Sequence, residues 1–575
     1  MAGCLPVKLY DPIYLLEVTL EKNSLLETEV LIIGGGATGT GVARDLSLRG
    51  IGSLLVEKCD INAGASGGNH GLLHSGARYV SNDVQSAIEC MEEGRILKKT
   101  AAHCIDDCGG LFAAIEGDDE NYIADFPGFC EKSGLYCKEI SPEEAIEREP
   151  ELSNKIIAAY EVEDGAIDPF MLSLENIAEA KSLGSKLLCY TEAVRFETEN
   201  HRITRVHLKN IRSGETFQVQ PKIVVNAAGA WAGRVAAMAG ASINILYSMG
   251  TLLVTQSRIS GGVINRLRPP SDADILVPGG TVSIIGTTSV RVDDPDKIRP
   301  TVRETDLIVE QGAQILPVLE NIRYIRAYSG VRPLVNLGGS GADDRNISRD
   351  FTLLDHQDSD IDNFITITGG KLTTYRLMAE KTSDLVCAKI GNTNPCLTRT
   401  RALPSTMEGK WTEPGIAPKR WIHKSHDAKD KVLCECEMIS EKTIDDIVCE
   451  LKKNNEPPNL LNIGKRSRLG KGPCQGAFCS VRVLAHMYDK DALSGDHGVG
   501  DIKAFLNERW KGQRPIFWGD QLVQAELTEA MHSGFFDLEL VDSKSSNPEI
   551  SGSGMAGLEV THMNIDAKKG PDNGK

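Results

Sequence analysis

No segment near the start of this chain joins a basic opening, an apolar run and a small-residue cleavage site. The fifteen cysteines are therefore expected to stay reduced, as thiols or metal ligands. Basic charge is also short. The 63 Lys and Arg face 80 Asp and Glu, and the formal net charge of −17 argues against nucleic acid or an anionic membrane surface as a general partner. It leaves room for a local basic pocket that holds a small anion. Membrane-length apolar runs are lacking too: the uncharged stretch 235–257 carries Ser242, Asn244, Ser248, Gly250 and Thr251 and reads as buried interior, so no transmembrane segment is expected. What remains is a chain with 41% hydrophobic and 25% charged residues, of globular type. Its 575 residues exceed one compact core, and two to four domains are expected.

Residues 28–58 form one complete nucleotide-binding βαβ pattern. Residues 30–33 are a buried-strand run, Gly34, Gly36 and Gly39 have the spacing G-x-G-x-x-G, Val42, Leu46 and Leu48 suggest the apolar face of a helix, and residues 52–57 form a second strand. Gly34 allows the tight turn, Gly36 admits a pyrophosphate to the backbone, and Gly39 lets helix and strand pack closely. Glu57, at the end of the second strand, is placed to accept ribose hydroxyls and to repel the extra phosphate of NADP. No second G-x-G-x-x-G has this context, so a separate NAD site lacks support.

Further along, residues 59–80 are a Gly, Ser and Asn-rich loop fit to wrap a ligand. Residues 89–99 and 142–149 read as helices, the second capped by Ser141 with Pro142 first in the helix. Strands are expected at 194–196, 206–208 and 223–225, the last running into NAAGAWAG, and at 275–292 as two strands around Gly279 and Gly280. Residues 322–334 and 364–376 bring a strand and a glycine turn back before a helix expected from 372 to 389. The fold class is α/β with α+β: a Rossmann-like dinucleotide-binding domain, an inserted β-sheet substrate domain, a small cysteine module and a partly helical C-terminal region. The expected boundaries are an N-terminal extension at 1–28, the main nucleotide-binding and substrate domain at 29–395 with discontinuous parts, a linker at 396–429, the module at 430–485, the C-terminal region at 486–542 and a disordered tail at 543–575.

The segments GGGATGTG, NHGLLHSGARY, NAAGAWA, DILVPGGTVSIIGTTS, YSGVRPL and GGKLTTYR, in that order, closely resemble FAD-dependent sn-glycerol-3-phosphate dehydrogenase over roughly residues 29–540. The added cysteine module resembles that of the large catalytic subunit of the anaerobic form. The resemblance implies FAD on Gly34, Gly36, Gly39 and Glu57, enclosed by the loop from Ser66 to His74, by Ala228 and Gly229, and by the turn that carries Gly370, Leu372 and Thr373. A helix starting near Leu372 would aim its positive end at the flavin. For substrate, the resemblance points to Arg78, Tyr79, Arg332 and Lys371. Guanidinium forks suit a phosphate dianion, and a lysine suits the C2 oxygen as hydride leaves. Taken singly, each arginine also reads as an ordinary surface charge. Where aerobic members carry a histidine near the ring, Gly250, Thr251 and Leu252 offer leucine, so the general base stays open between His74 and Lys371. His74 also reads as a residue that only shapes the flavin pocket.

Cys434 and Cys436, then Cys474 and Cys479, stand 37 residues apart and supply four thiolates. Thiolates suit iron–sulfur or zinc; the tight Cys-x-Cys pair and the resemblance to small ferredoxin-like domains point to a [2Fe-2S] cluster. The other cysteines, including Cys104 and Cys108 on an expected helix, read as unpaired thiols. The implied activity is oxidation of sn-glycerol 3-phosphate to dihydroxyacetone phosphate, with electrons passing to a membrane quinone-linked acceptor. The implied partners are electron-transfer and membrane-anchor subunits, and the implied location is cytoplasmic, at the inner face of the cell membrane. Rival readings are an oxidase, a dehydrogenase of another hydroxy acid, and a flavin electron-transfer subunit without turnover.

Overall fold

The computed structural model describes residues 25–335, 350–407, 429–453, 456–510 and 512–536. Residues 1–24, 408–428 and the expected tail at 543–575 lie outside this description. The chain divides into a large unit, residues 1–522, and a small one, residues 523–575. Of the small unit, only the later turns of the helix Gly519–Phe536 are described.

An eight-stranded sheet is built outward from Leu25–Ile33, which lies parallel to Thr216–Asn226 on one side and to Ser53–Val56 on the other. Residues alternate across a strand, so Val30 and Ile32 face one way and Leu31 and Ile33 the other. Both sides are buried. Val30 and Ile32 pack with Val42 and Leu46 of the helix Ala37–Leu48, Ile177 of Pro169–Ser182, and Ala379 and Val386 of Tyr375–Ile390. Leu31 and Ile33 pack with Val206, Phe217, Val235 and Ala236. A strand sealed on both faces needs apolar residues at every position, and that is why 30–33 show no alternation in sequence. Truncating Ile32 to Ala would cost about 2–5 kcal/mol.

A nine-stranded sheet is assembled from two chain segments, 110–162 and 245–335. Its longest pairing joins Ile245–Thr255 to Tyr324–Val335, antiparallel, with Gly250 opposite Gly330 and Ser248 opposite Arg332. The expected pair of strands around Gly279 and Gly280 is present as Ile275–Gly279 and Val282–Gly286. The uncharged stretch 235–257 divides between the helix Ala232–Met238 and the strand Ile245–Thr255. No helix among the described residues is long and apolar enough to cross a membrane.

Some local expectations change. Cys104 ends a short 3-10 turn, Ile105–Asp106 is a strand paired with Gly165–Ile167, and Cys108 lies beyond it, so neither cysteine is on an α-helix. Ile105 and Ile167 join Leu73 and Leu97 in one core, and that packing outweighs helical composition. The thiols of Cys130 and Cys137 are in hydrogen-bonding contact although no pair was expected. The helix expected from Leu372 begins at Tyr375, because Gly369 and Gly370 take positive φ and Lys371 closes a turn with Thr374. Residues 396–407, expected as linker, lie against the dehydrogenase domain: Leu403 is buried with Leu172 and Tyr375, and Arg401 pairs with Glu179.

The cysteine module contains the hairpin Val432–Cys434 with Ile439–Ser440 and the helices Glu441–Lys453, Leu460–Ser467 and Cys479–Asp489. The helix His497–Trp510, expected in a separate region, belongs to its core through buried Ile502, Phe505 and Leu506. Phe505 fills the space over Gly470 and Gly476, both of positive φ, where a Cβ would lie 2.5 Å from the ring. The module is seated on the dehydrogenase domain by Lys465 to Asp60 at 2.6 Å, Arg468 to the Gly279 carbonyl at 2.7 Å and Thr281 to Glu437 at 2.7 Å.

Candidate active site and four-cysteine group

A single cavity of about 880 Å³ connects the glycine loop to the candidate substrate residues. That volume suits a cofactor with a small substrate. At one end Gly34 and Gly36 lie where the first strand meets its helix. Gly34 has φ +116°, and a Cβ there would stand 2.4 Å from the Ala227 carbonyl oxygen, so the two strand ends close on each other only through glycine. Gly39 sits one layer behind the cavity wall, with its would-be Cβ 1.9 Å from the Gly34 oxygen.

Glu57 lines the same end. Its carboxylate accepts the Gly35 N–H at 2.6 Å and the Cys59 N–H at 2.8 Å. Burial raises its pKa above the ordinary carboxylate value, against the pull of those two backbone donors. Ser66, from the glycine-rich loop, accepts the Ala37 N–H at 3.0 Å and so occupies one free donor at the helix start. Ala228 and Gly229 line the wall beside Trp231, whose indole N–H donates to Asp296 at 2.8 Å.

At the other end His74, Arg78, Tyr79, Arg332, Gly370, Lys371 and Leu372 line the cavity together. Their positions come from distant parts of the chain. His74 lies 3.5 Å from the Tyr79 hydroxyl through Nε2, and its backbone N–H donates to Thr373 Oγ1 at 3.1 Å. Thr373 is buried behind the wall. Lys371 Nζ donates to Ser86 Oγ at 2.8 Å and lies 5.0 Å from the Tyr79 ring centre. Arg332, on the strand Tyr324–Val335, donates to the Thr288 carbonyl at 3.3 Å and to Thr287 Oγ1. Gly250, on the paired strand, leaves room for it: a Cβ there would stand 2.6 Å from Arg332 Nη2. Arg78 donates to Asp274 at 2.9 Å, and Asp274 also binds Arg268 at 2.8 Å and the Ser271 N–H at 2.5 Å. Asp274 is fully buried at its side chain, and two guanidinium groups share its charge.

Two arginines near a lysine and a histidine in one half-buried pocket can hold a doubly charged anion and can move a proton beside it. Sequence patterns alone do not point to Ser86, Asp274 or Thr287. Asp274 begins the DILVPGG segment and is in that sense visible, whereas nothing local marks Ser86.

The four cysteines of the module meet away from this cavity. Cys434 is in hydrogen-bonding contact with Cys479, Cys479 with Cys474, and Cys474 with Cys436. Backbone N–H groups of Phe478 and Gly476 point at the Cys474 sulfur, and that of Glu437 at Cys434. Donors from Cys436 and Cys479 hold the Cys474 thiol far below its ordinary pKa. Among the described residues no group of three or more His, Cys, Asp or Glu is arranged to hold a single metal ion. Each of the four sulfurs has at least one of the others as a neighbour, and Cys434, Cys436 and Cys474 also face backbone donors. Four thiols so supplied fit a group that spreads its charge over several sulfurs.

The family described as "FAD dependent oxidoreductase" matches residues 29–385. One subunit of the anaerobic glycerol-3-phosphate dehydrogenase of Escherichia coli (strain K12) is 41% identical over 539 residues, covering 89% of this chain and 97% of that protein. The corresponding subunit of the anaerobic glycerol-3-phosphate dehydrogenase of Haloferax volcanii is 37% identical over 535 residues, covering 88% and 90%. Among solved structures, glycerol-3-phosphate dehydrogenase from Bacillus halodurans complexed with FAD superposes with a TM-score of 0.59 at 21% identity, covering 86% of this chain and 97% of that one. That last likeness is one of fold.

Proposed function

The chain belongs to the FAD-dependent glycerol-3-phosphate dehydrogenases of the anaerobic kind, and from that premise we propose the division of labour among its residues. It oxidises sn-glycerol 3-phosphate to dihydroxyacetone phosphate at the Lys371 end of the cavity. Cys434, Cys436, Cys474 and Cys479 hold a [2Fe-2S] cluster that serves electron delivery to a membrane quinone-linked acceptor. The observation that carries the reading is the single cavity that joins the glycine loop to Arg78, Arg332, His74 and Lys371.

The residues fit FAD. Gly34 and Gly36 leave backbone where a side chain would intrude, Glu57 faces the same space, and the helix Tyr375–Ile390 starts with Tyr375 and Met378 on the cavity wall. When bound, the flavin accepts the hydride. Its phosphates belong at the start of Ala37–Leu48, where backbone N–H groups have no helical partner. The chain does the rest. Arg332 and Arg78 grip the phosphate, and Asp274 keeps Arg78 turned toward the pocket while half-neutralising it. Lys371 holds the C2 oxygen and takes its proton, with His74 and Tyr79 beside it to fix the tilt of the alcohol. The second group fits by donor chemistry: four neighbouring thiols, with N–H groups aimed at three of them, match a cluster whose potential is set by such bonds. The relatives are each named as one component of a larger enzyme, and this supports partner subunits that take the electrons and anchor the assembly at the inner face of the cell membrane.

The test is anaerobic mixing of purified protein with sn-glycerol 3-phosphate while flavin absorbance is followed, with metal analysis of the same sample. The expected result is rapid bleaching, no bleaching by glycerol, and iron without zinc. A protein bleached instead by a 2-hydroxy acid would be a different dehydrogenase, and zinc in place of iron would remove the cluster.

A further inference from the structure

Lys371 does not end at the cavity wall. Its Nζ donates to Ser86 Oγ at 2.8 Å, and Ser86 Oγ donates to Asp83 Oδ2 at 2.8 Å. Ser86 is 1% exposed. Asp83 is half-buried and lines the cavity next to exposed Asn82. The three groups therefore make an unbroken hydrogen-bonded line from Lys371 to partly exposed Asp83 at the start of the helix Val84–Thr100.

Helix capping accounts for only part of this arrangement. Asp83 is the N-cap, and its Oδ1 accepts the Ser86 N–H at 3.1 Å, which is all that a cap requires. The second carboxylate oxygen goes to the Ser86 hydroxyl. That hydroxyl then presents its lone pair to Lys371 and its proton to a carboxylate, the polarity a relay needs. The other ionisable groups around this end are His74, Tyr79, Glu89, Cys90 and Asp164. Tyr79 meets the lysine with its ring face at 5.0 Å, whereas Ser86 receives a hydrogen bond from Nζ and passes one on.

We infer that Ser86 and Asp83 drain to solvent the proton that substrate oxidation places on Lys371. The inference rests on the reading of Lys371 as the group on the C2 oxygen. The form of Nζ that accepts a proton is the amine, and the step starts from it. The C2 hydroxyl O–H bond breaks as an N–H bond forms, the C2–H bond leaves with its electron pair to the flavin, and C2=O is made. Nζ then gives a proton to Ser86 Oγ while the Ser86 hydroxyl proton moves to Asp83 Oδ2 and on to water. Each alcohol thus loses one hydride and one proton, and the lysine returns to the amine. Ser86 and Asp83 are positioning and relay residues that never touch the substrate.

The experiment uses the FAD-loaded protein, mixed anaerobically with sn-glycerol 3-phosphate in weak buffer containing a pH-indicator dye, so that flavin bleaching and proton release are read together. In the wild type the dye responds in step with bleaching. In Ser86→Ala and in Asp83→Asn the dye trails bleaching, its rate lower by about tenfold or more. Asn retains the helix cap, so Asp83→Asn separates the relay from helix stability. Ser86→Thr keeps the hydroxyl and restores synchrony, a rescue that a packing role would not produce. Dye and flavin that stay in step in both Ser86→Ala and Asp83→Asn, with full FAD, overturn the relay alone. A wild-type flavin that glycerol 3-phosphate fails to bleach overturns the reading beneath it, and the relay with it.

Discussion

Removing Arg332 tests the anion pocket at its most defined point. The guanidinium is docked on the segment between the strands Val282–Gly286 and Val290–Val292: one Nη donates to the Thr288 carbonyl at 3.3 Å, the other to Thr287 Oγ1, and Gly250 leaves the space for it. Such a group presents its remaining donors in a fixed direction, so little entropy is lost when phosphate arrives. Hydrogen bonds to a charged partner contribute about 1.5–3 kcal/mol each, and Arg332→Ala should therefore lose about 2–4 kcal/mol in kcat/KM for glycerol 3-phosphate, roughly 30- to 1000-fold. Arg332→Lys keeps the charge but not the fork and should lose about half as much in free energy. Anaerobic steady-state assays with an artificial acceptor measure both, with FAD content determined for each variant. Unphosphorylated glycerol is the control, because it never uses the arginine. Equal losses for glycerol and its phosphate, at full FAD content, would make Arg332 a scaffold residue and refute the phosphate assignment. Gly250→Ala approaches the same point without touching charge: its Cβ would stand 2.6 Å from Nη2 and 3.1 Å from the Thr288 oxygen, so KM should rise in the same direction.

Gly34→Ala should leave the protein short of FAD when absorbance is read against protein mass, since φ +116° is strained for alanine and the added methyl meets the Ala227 oxygen at 2.4 Å. Full FAD would show that the strand ends part more easily than the geometry allows. Cys474→Ser should lower iron content while substrate still bleaches the flavin, and loss of FAD along with the iron would instead assign the module a structural role. Asp501 accepts the Leu460 N–H at 2.9 Å at the start of a module helix, and burial pushes its pKa from 3.8 up to about 6. A carboxyl raised on folding holds its proton more tightly when folded, so stability is lost as pH rises from about 4 to about 6 and is flat above. The full shift corresponds to about 3 kcal/mol, and partial exposure reduces that to about 1–2. Asp501→Asn should therefore raise the guanidinium midpoint at pH 7.5 and leave it unchanged at pH 4, and a lower midpoint at pH 7.5 would show that the charge stabilises the helix start.

Features that depend on neighbours along the chain are legible in the sequence. The strand 30–33, the glycines after it and the acid at 57 lie within one βαβ unit, where the pattern of apolar residues and turns is itself the structure. The same holds for Ser141 and Pro142, which cap and open the helix Pro142–Arg148 as their chemistry demands. The helix after the glycine turn starts three residues earlier in sequence than in the fold, because Leu372, Thr373 and Thr374 carry no signal that would exclude them. Gly369 and Gly370, at φ +82° and +72°, and the bond between Thr373 and His74 hold those residues in a turn instead. Likewise Ile105 pairs with Ile167 in a small sheet, a contact that no window around Cys104 and Cys108 contains.

The site obeys the same division, and its chemistry lies mostly on the illegible side. Lys371 is visible as a basic residue after two glycines, but its neighbour Ser86 is 285 positions away, and Arg78 meets Asp274 across 196. Those partners decide what the cations do. An arginine whose charge is shared with a buried aspartate orients an anion more than it attracts one, and a lysine tied to a serine and a carboxylate has somewhere to send a proton. The family resemblance therefore names which cations to look for at the pocket, while the sheet pairing that joins Ile245–Thr255 to Tyr324–Val335 and the seating of Val84–Thr100 beside the glycine turn assign them different work. This difference predicts that losing Asp274 or Ser86 would alter how tightly or how fast the reaction runs without changing which substrate is chosen.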